Sequence, residues 1–280
     1  MENKVPYHPQ QPGYERAGRG YRLCPVTPGH PLEGLVSEIF VLRDPGDRKT
    51  VQVVPDGCDD ILLLFDGAGA HSYLSPSVRE GHRFSFPAVE AVVGIRFRPG
   101  ATANFLGEDM ARVAGQTLWM GDIWGDFACL EERLAGIRDP AQGLEAVTSY
   151  LSPKARPDTD RQSLMKYCVN RLLLSGGSCP VEELAQQTGY TSRYLRKLFS
   201  AYLGHGPKEL AEILRVQRLL RVLREEPNRA LGDVALLCGF ADQSHMNRAC
   251  RRYLGAPAGV IRSGAAWETG LVLPARRLFR

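Results

Sequence analysis

Residues 181–204, VEELAQQTGYTSRYLRKLFSAYLG, and residues 231–255, LGDVALLCGFADQSHMNRACRRYLG, are one unit written twice. Aligned on Gly189 and Gly239 they match at an offset of 50, so that Leu184-Ala185 answers Val234-Ala235 and Tyr190 answers Phe240. One residue is then inserted, and Leu195 answers Met246, Lys197 answers Arg248, and residues 202–204 answer 253–255. Self-similarity of this kind marks a duplicated supersecondary unit. Each copy reads as a short amphipathic helix, a glycine turn and a second amphipathic helix. The glycine suits a helix end that needs φ > 0. The second helix opens on capping residues, Thr191-Ser192 in one copy and Asp242 in the other. This is the helix-turn-helix pattern, whose second helix lies in the DNA major groove.

The exposed positions of those second helices suit base edges. Arg193, Arg196 and Lys197 in the first, and Gln243, Asn247 and Arg248 in the second, are expected to supply base readout. Arg and Lys match the guanine O6/N7 edge, Asn and Gln the adenine N6/N7 edge. Ser244, His245, Arg251 and Arg252 are expected to touch phosphates or cap the helix.

Two such units joined by a long helix resemble the AraC/XylS family of bacterial transcription regulators. GFADQSHMNRACRRYLG is close to that family's signature, and RYLRKLFSAYLGHGPKEL resembles its first unit and the start of the connecting helix. There are departures. Cys250 stands where the family usually has phenylalanine, and Pro257-Ala258 replaces a usual Thr-Pro step. The front half carries its own resemblance. PDGCDDILLLF (55–65), VVGIRFRPGATANFLG (92–107) and MGDIWG (120–125) look like the β-rich N-terminal domain of one AraC-type subgroup. The resemblance implies a sensory or dimerising module.

Pro207 to Glu226 reads as the connecting helix, opened by proline. Ile213, Val216, Leu220 and Leu223 would form one buried stripe. Arg215, Arg218, Arg221 and Arg224 lie off it, as a solvated face or as phosphate contacts. Twenty residues at ~1.5 Å rise span ~30 Å. That is close to the ~34 Å between successive major-groove faces.

Charge is divided along the 280 residues. Residues 1–157 hold 16 Lys and Arg against 20 Asp and Glu, a net of −4; residues 158–280 hold 19 against 11, a net of +8. A basic back half suits a polyanionic partner. No apolar run approaches a membrane span, and the first twenty residues lack a signal peptide's apolar segment, so a cytoplasmic protein is expected. Seven cysteines stand singly, with no C-x-x-C, which reads as buried or incidental thiols.

The expected fold class is α+β. Residues 1–19 read as a disordered arm. Residues 20–152 read as a β-rich sensory or dimerisation domain, either a barrel or a double sheet. Its strands are expected at 35–42, 50–54, 61–65 and 89–97, with a turn at 44–47. Short helices follow at 108–113, 127–137 and 142–151. Residues 153–159 form a linker, 160–265 the double helix-turn-helix domain and 266–280 a tail. Trp119 and Trp124 read as core or interdomain packing.

In the front domain, Asp56, Asp59 and Asp60 surround Cys58, with Arg96 and Arg98 on a nearby strand end. Two readings stay open: a polar effector pocket built on Asp56, Asp59, Arg96 and Arg98, or turn chemistry plus a structural ion pair. His30, His71 and His82 lack ligand spacing, so no metal is expected, and no cofactor. No nucleophile or phosphate-loop motif appears. The sequence therefore points to a non-enzymatic, one-component regulator of promoters or operators. Its expected partners are double-stranded DNA, a small-molecule effector or a second copy of itself, and RNA polymerase if it activates. The alternative is an enzyme, such as a DNA-repair activity, fused to a helix-turn-helix tail.

Overall fold

Three strands with apolar residues on both faces form the centre of the front half: VSEIFVLR, DILLLFD and AVVGIRF. Unbroken apolar runs, rather than alternation, mean that both faces of the sheet are covered. The computed structural model describes residues 6–17, 20–43, 50–85, 89–107, 110–113, 115–268 and 275–277. The expected turn at 44–47, the first two residues of the helix expected at 108–113, and most of the 266–280 tail lie outside them.

In chain order the front half runs α1 (Pro12–Ala17), β1 (Arg22–Pro25), β2 (Val36–Arg43), β3 (Thr50–Val53), β4 (Asp60–Asp66), β5 (Gly69–Ser75), β6 (His82–Ser85) and β7 (Ala91–Phe97). It continues with α2 (Ala103–Leu106), α3 (Met110–Val113), β8 (Leu118–Trp119), α4 (Met120–Ile123), α5 (Ala128–Leu134) and α6 (Pro140–Leu151). The large sheet is antiparallel in the order β1-β2-β7-β4-β5-β8, and β3 and β6 pair in a smaller one. Among the described residues the strands stack as two sheets and do not close into a barrel. On one face of the large sheet Ile39, Val41, Leu63 and Ile95 pack on Leu130, Leu134, Val147 and Leu151 of α5 and α6. On the other, Phe40, Leu42, Leu62 and Leu64 meet Val51, Val53 and Phe84 of the small sheet. At about 1.5–3 kcal/mol for each fully buried large apolar side chain, these two cores hold the front domain. Gly94 is required here, because a Cβ would stand 2.0 Å from the Phe40 ring.

The back half is helical: α7 (Asp160–Leu174), α8 (Val181–Thr188), α9 (Ser192–Leu203), α10 (Pro207–Glu225), α11 (Leu231–Leu237), α12 (Gln243–Leu254), α13 (Ala258–Arg262) and α14 (Ala265–Glu268), followed by β9 (Ala275–Arg277), which runs parallel to β6. The α+β class is as expected. Helix α10 is buried on more than the single stripe its sequence suggests. Leu210, Ala211 and Leu214 enter the core of the first unit, and Ile213, Val216, Leu219 and Leu223 that of the second. A helix shared by two cores must be apolar on two sides.

Residues 6–17, expected within a disordered arm, are packed instead. Tyr7 and Tyr14 are buried, and the Tyr7 hydroxyl donates to the Asp56 carbonyl oxygen at 2.6 Å. Gln10 exchanges bonds with Gln217 of α10: its N–H donates to Oε1 at 2.7 Å, and its carbonyl accepts from Nε2 at 3.3 Å. A stretch poor in local propensity is ordered by two tyrosines that find pockets.

The domains also meet at the turn 55–57. Gln217 Nε2 donates to the Pro55 carbonyl at 2.8 Å. Gly57 sits at φ +79°, and a Cβ there would lie 2.6 Å from a Leu210 methyl. Further out, Arg79 Nε and Nη2 each donate to the Glu209 carboxylate at 2.9 Å.

Arg96 has no exposed surface. Its cross-strand neighbours are Glu38 on β2 and Asp60 on β4. Its Nε and Nη2 donate to the two Asp60 carboxylate oxygens at 2.9 Å, and Nη1 to Glu38 at 3.1 Å. Removing the cation leaves buried carboxylates uncompensated, which typically costs about 3–5 kcal/mol. Arg96→Met is expected to lower unfolding stability by about that amount in urea titration; a loss under ~1 kcal/mol would mean that the acids relax to solvent.

Candidate nucleic-acid interface

The two helix-turn-helix units repeat the same local solutions. The turns between their helices use Gly189 (φ +73°) and Gly239 (φ +79°). Both second helices begin on a side-chain cap: Thr191 accepts from the Tyr194 N–H at 3.2 Å, and Asp242 accepts from the His245 N–H at 2.6 Å. Both end on left-handed glycines, Gly204 (φ +71°) and Gly255 (φ +77°). Capping at both ends satisfies backbone groups the helix cannot, so each is held as a rigid rod. Leu195, Leu198 and Phe199 bury the inner face of α9, and Met246, Cys250 and Tyr253 that of α12. Cys250 is fully enclosed, so a thiol fills the space at this family-atypical position.

Arg193, Arg196 and Lys197 are exposed on α9, and Gln243, Ser244, Arg248 and Arg251 on α12. His245 and Asn247 are partly covered, for structural reasons. Asn247 Oδ1 accepts from the Ala258 N–H at 3.0 Å, holding the first turn of α13 to α12. The His245 ring packs edge-on against Phe240, and its Nδ1 accepts from the Ala241 N–H at 3.3 Å. Asn247 Oδ1 thus ties α13 to α12, and His245 braces the start of its own helix, the capping role that was one of its two expected uses. Arg252 lies 3.4 Å from Glu212 and over the Tyr253 ring, while the Tyr253 hydroxyl donates to Glu212 at 2.8 Å. That contact docks α12 on α10. On α10, Arg215 Nη1 donates to the Gly239 carbonyl at 3.4 Å, and Arg224 lies 3.4 Å from Glu15 of α1. Arg224 nevertheless keeps 55% of its side-chain surface exposed, as a solvated helix face would.

The aromatic pair at each turn diverges. Tyr190 and Tyr194 stack at 4.8 Å, with Tyr190 45% exposed, whereas the answering Phe240 is buried. The tyrosine pair is an exposed feature at the start of α9 that the sequence reading passed over. The offset alignment could have flagged it, since hydroxyl-bearing Tyr190 answers hydroxyl-free Phe240. Helix α3 of the front domain lies alongside α9.

The four candidate effector residues do not line one pocket. Arg96 joins Asp60, Glu38 and, at 3.6 Å, Asp56 in a buried network. Burial alone would lower its pKa, but the three carboxylates outweigh burial and raise it. Asp56 accepts from the Cys58 N–H at 2.9 Å and from Gln11 at 2.8 Å. Burial pushes its carboxyl up to about 6, with Arg96 pulling it back. Asp59 accepts from the Ser77 N–H at 2.8 Å and the Thr102 hydroxyl at 2.6 Å. Arg98 alone borders an open cleft, donating to Asn170 of α7 at 3.1 Å. The structural reading of Asp56, Asp59 and Arg96 replaces the pocket reading, because every one of them is spent on protein partners. Trp124 packs among Phe105, Phe127 and Tyr150, while Trp119 lies half-covered at the sheet edge against Tyr73.

Residues 169–264 match a family model described as a helix-turn-helix domain. The back half is a double helix-turn-helix domain. Residues 25–119 match a domain of unknown function (DUF6597). The HTH-type transcriptional regulator VirS of Mycobacterium tuberculosis is 32% identical over 193 residues, 64% of this chain and 56% of VirS. A probable bifunctional transcriptional activator/DNA repair enzyme, AlkA, of the same species is 40% identical over 86 residues, 31% of this chain and 17% of AlkA. The chain thus spans about half the length of VirS, and less of AlkA. A solved structure of ToxT from Vibrio cholerae is similar over 88% of this chain and 96% of its own, at 13% identity and a TM-score of 0.43. Among the described residues no helix is long and apolar enough to cross a membrane.

Two outcomes follow from these contacts. Asn247→Ala is expected to lower the stability of the back half by about 1–2 kcal/mol through the freed Ala258 N–H, read by thermal unfolding. It should leave the sequence preference in DNA selection unchanged. The second concerns pH. Burial pushes the Asp59 carboxyl up to about 6, with the Thr102 and Ser77 bonds pulling it back, against ~3.9 unfolded. Between those values the folded state holds a proton the unfolded chain has lost, so stability falls as pH rises from about 4 through 6. Asp59→Asn is expected to remove about 2–3 kcal/mol of that fall, read as urea stability at pH 4 against pH 7.5.

Proposed function

We propose that this chain is a one-component, sequence-specific DNA-binding transcription regulator that sets α9 and α12 into successive major grooves of one duplex. The observation that carries the reading is the matched pair of capped helices, each with exposed basic or amide side chains, mounted on one shared helix. Nineteen residues of α10 at ~1.5 Å rise give about 28 Å, near the ~34 Å groove repeat. A rigid spacer of that length supports simultaneous engagement. Arg193, Arg196, Lys197, Gln243 and Arg248 are the proposed readers of base edges, and Ser244 and Arg251 the proposed phosphate contacts. The domain limits follow the same reading: a front domain from residue 20 to 152, a linker from 153 to 159 and the DNA-binding domain from 160 to 265. The packed residues 6–17 act as a strap between the two.

The front domain regulates the back one, through a small molecule or through a second copy of the chain, in the bacterial cytoplasm, with RNA polymerase as a partner where the protein activates. Regulation by a ligand requires that it bind two states unequally. The regulator reading is preferred to an enzyme carrying a helix-turn-helix tail. Asp59 and Asp60 of the front domain are bonded to Arg96, Thr102 and a backbone amide, a use that suits structure rather than proton transfer.

The test is selection of bound genomic fragments by full-length protein at near-physiological salt. One or a few sites spanning two successive major grooves are expected. Arg196→Ala and Arg248→Ala should each weaken specific binding by ~1–3 kcal/mol and relax the preference at a few base pairs. Unchanged affinity and preference in both would remove these side chains from readout. Uniform, salt-sensitive recovery of all DNA would reduce the interaction to counterion release.

A further inference from the structure

The first helix-turn-helix unit carries a surface feature that the second lacks. Tyr190 stands one residue before the N-cap of α9 and Tyr194 three residues after it. Their rings stack at 4.8 Å with 18° between their planes. Tyr190 is exposed and Tyr194 partly so. Their main-chain N–H groups donate to Thr188 and Thr191, while among the described residues neither hydroxyl has a partner. The answering pair of the second unit, Phe240 and His245, is closed. Phe240 is buried, the rings meet edge to face at 5.4 Å, and His245 Nδ1 accepts from the Ala241 N–H. Both copies keep an aromatic pair at the start of the second helix, but only the first presents two phenols at the surface. Bracing the turn needs the rings alone, as Phe240 shows, so the two unmet hydroxyls are surplus to that task.

The helical period places Tyr194 against the proposed readers. At ~100° per residue, Lys197 lies about 60° round α9 from Tyr194, Arg193 about 100° and Arg196 about 160°. Tyr194 therefore stands just outside the arc of reading side chains, next to Lys197, and Tyr190 is stacked on it. A helix with its side chains is ~10–12 Å across, and the major groove is ~12 Å wide. When the readers face the groove floor, the edges of their arc face the two phosphate strands.

We propose that Tyr190 and Tyr194 are an uncharged phosphate anchor of the first unit, each hydroxyl donating a hydrogen bond to a phosphate oxygen of the strand beside Lys197. Tyrosine hydroxyls are among the groups that hold phosphates and fix a protein's register on the duplex. The stack presents the two phenols as one surface, so little side-chain freedom is lost on contact. The anchor adds no charge and reads no base; it sets the rotation of α9 about its own axis, and with it the aim of Arg193, Arg196 and Lys197. The second unit has no equivalent, because Phe240 lacks the hydroxyl and His245 is turned to its own backbone. The proposal rests on the regulator reading and deepens it.

The test compares full-length wild type with the double variant Tyr190→Phe, Tyr194→Phe, which keeps both rings and their stack. Binding is measured by fluorescence anisotropy at a series of salt concentrations, on a site recovered by genomic selection and on an unrelated duplex of the same length. The variant is expected to bind both duplexes more weakly by the same factor, at least fivefold. The slope of affinity against salt should not change, because no charge that releases counterions is lost. The free variant should melt with the wild type. Ethylation interference locates the contact directly: phosphates beside the first unit whose modification blocks the wild type should cease to matter to the variant. A smaller loss of affinity, a loss confined to the recovered site, a reduced salt slope or an unchanged interference pattern would each overturn the proposal. Wild-type protein that binds neither duplex would remove the regulator reading and this contact together, whereas wild-type binding untouched by the two substitutions would remove this contact alone.

Discussion

A fully buried arginine needs its charge met at once, and Arg96 finds that charge across both flanking strands. Glu38 and Asp60 are its direct register partners on β2 and β4. A slip of one residue would turn Arg96 to the opposite face of the sheet, away from both acids. The ion cluster therefore fixes the register of the three central strands, in a sheet whose apolar faces alone would tolerate alternatives. Stability is a poor reason for such a cluster, since desolvation offsets most of the attraction. Specificity of register is the better one.

The cluster also reaches outward. Asp56 lies beside Arg96 and belongs to the turn that docks on α10. Gln11 bonds Asp56 and the Val54 carbonyl, and its neighbour Gln10 bonds Gln217. The charge centre of the sheet is thus continuous, through one turn and one strap, with the helix that sets the spacing of the two DNA-facing units. Val54 enters the core of the second unit and Tyr7 and Cys58 that of the first. The front domain grips both units near their shared helix rather than at their outer surfaces.

Duplication explains the likeness of the two units, and divergence within it shows where each has been fitted to its place. Caps and turn glycines are kept in kind, because the backbone requires them whatever the surroundings. Side chains facing a neighbour differ. Tyr190 is exposed beside Tyr194, and Phe240 is buried under His245. Asn247 is drawn from the outer face because α13 follows the second unit and needs its amide met.

The sequence by itself determined the double helix-turn-helix unit, the extent of α10 and the central strands, because each rests on local signals: periodicity, capping residues and glycines with φ > 0. It also named the exposed basic side chains of α9 and α12, since exposure follows from the same period. What only the tertiary structure decided rests on partners distant in the chain. Local propensity gave no reason for residues 6–17 to be ordered; burial of Tyr7 and Tyr14 against residues more than twenty positions away supplied it. Short strands such as β1 and β6 exist because neighbours pair with them. Asp56, Asp59 and Arg96 could be read as pocket or as structure until their partners were visible.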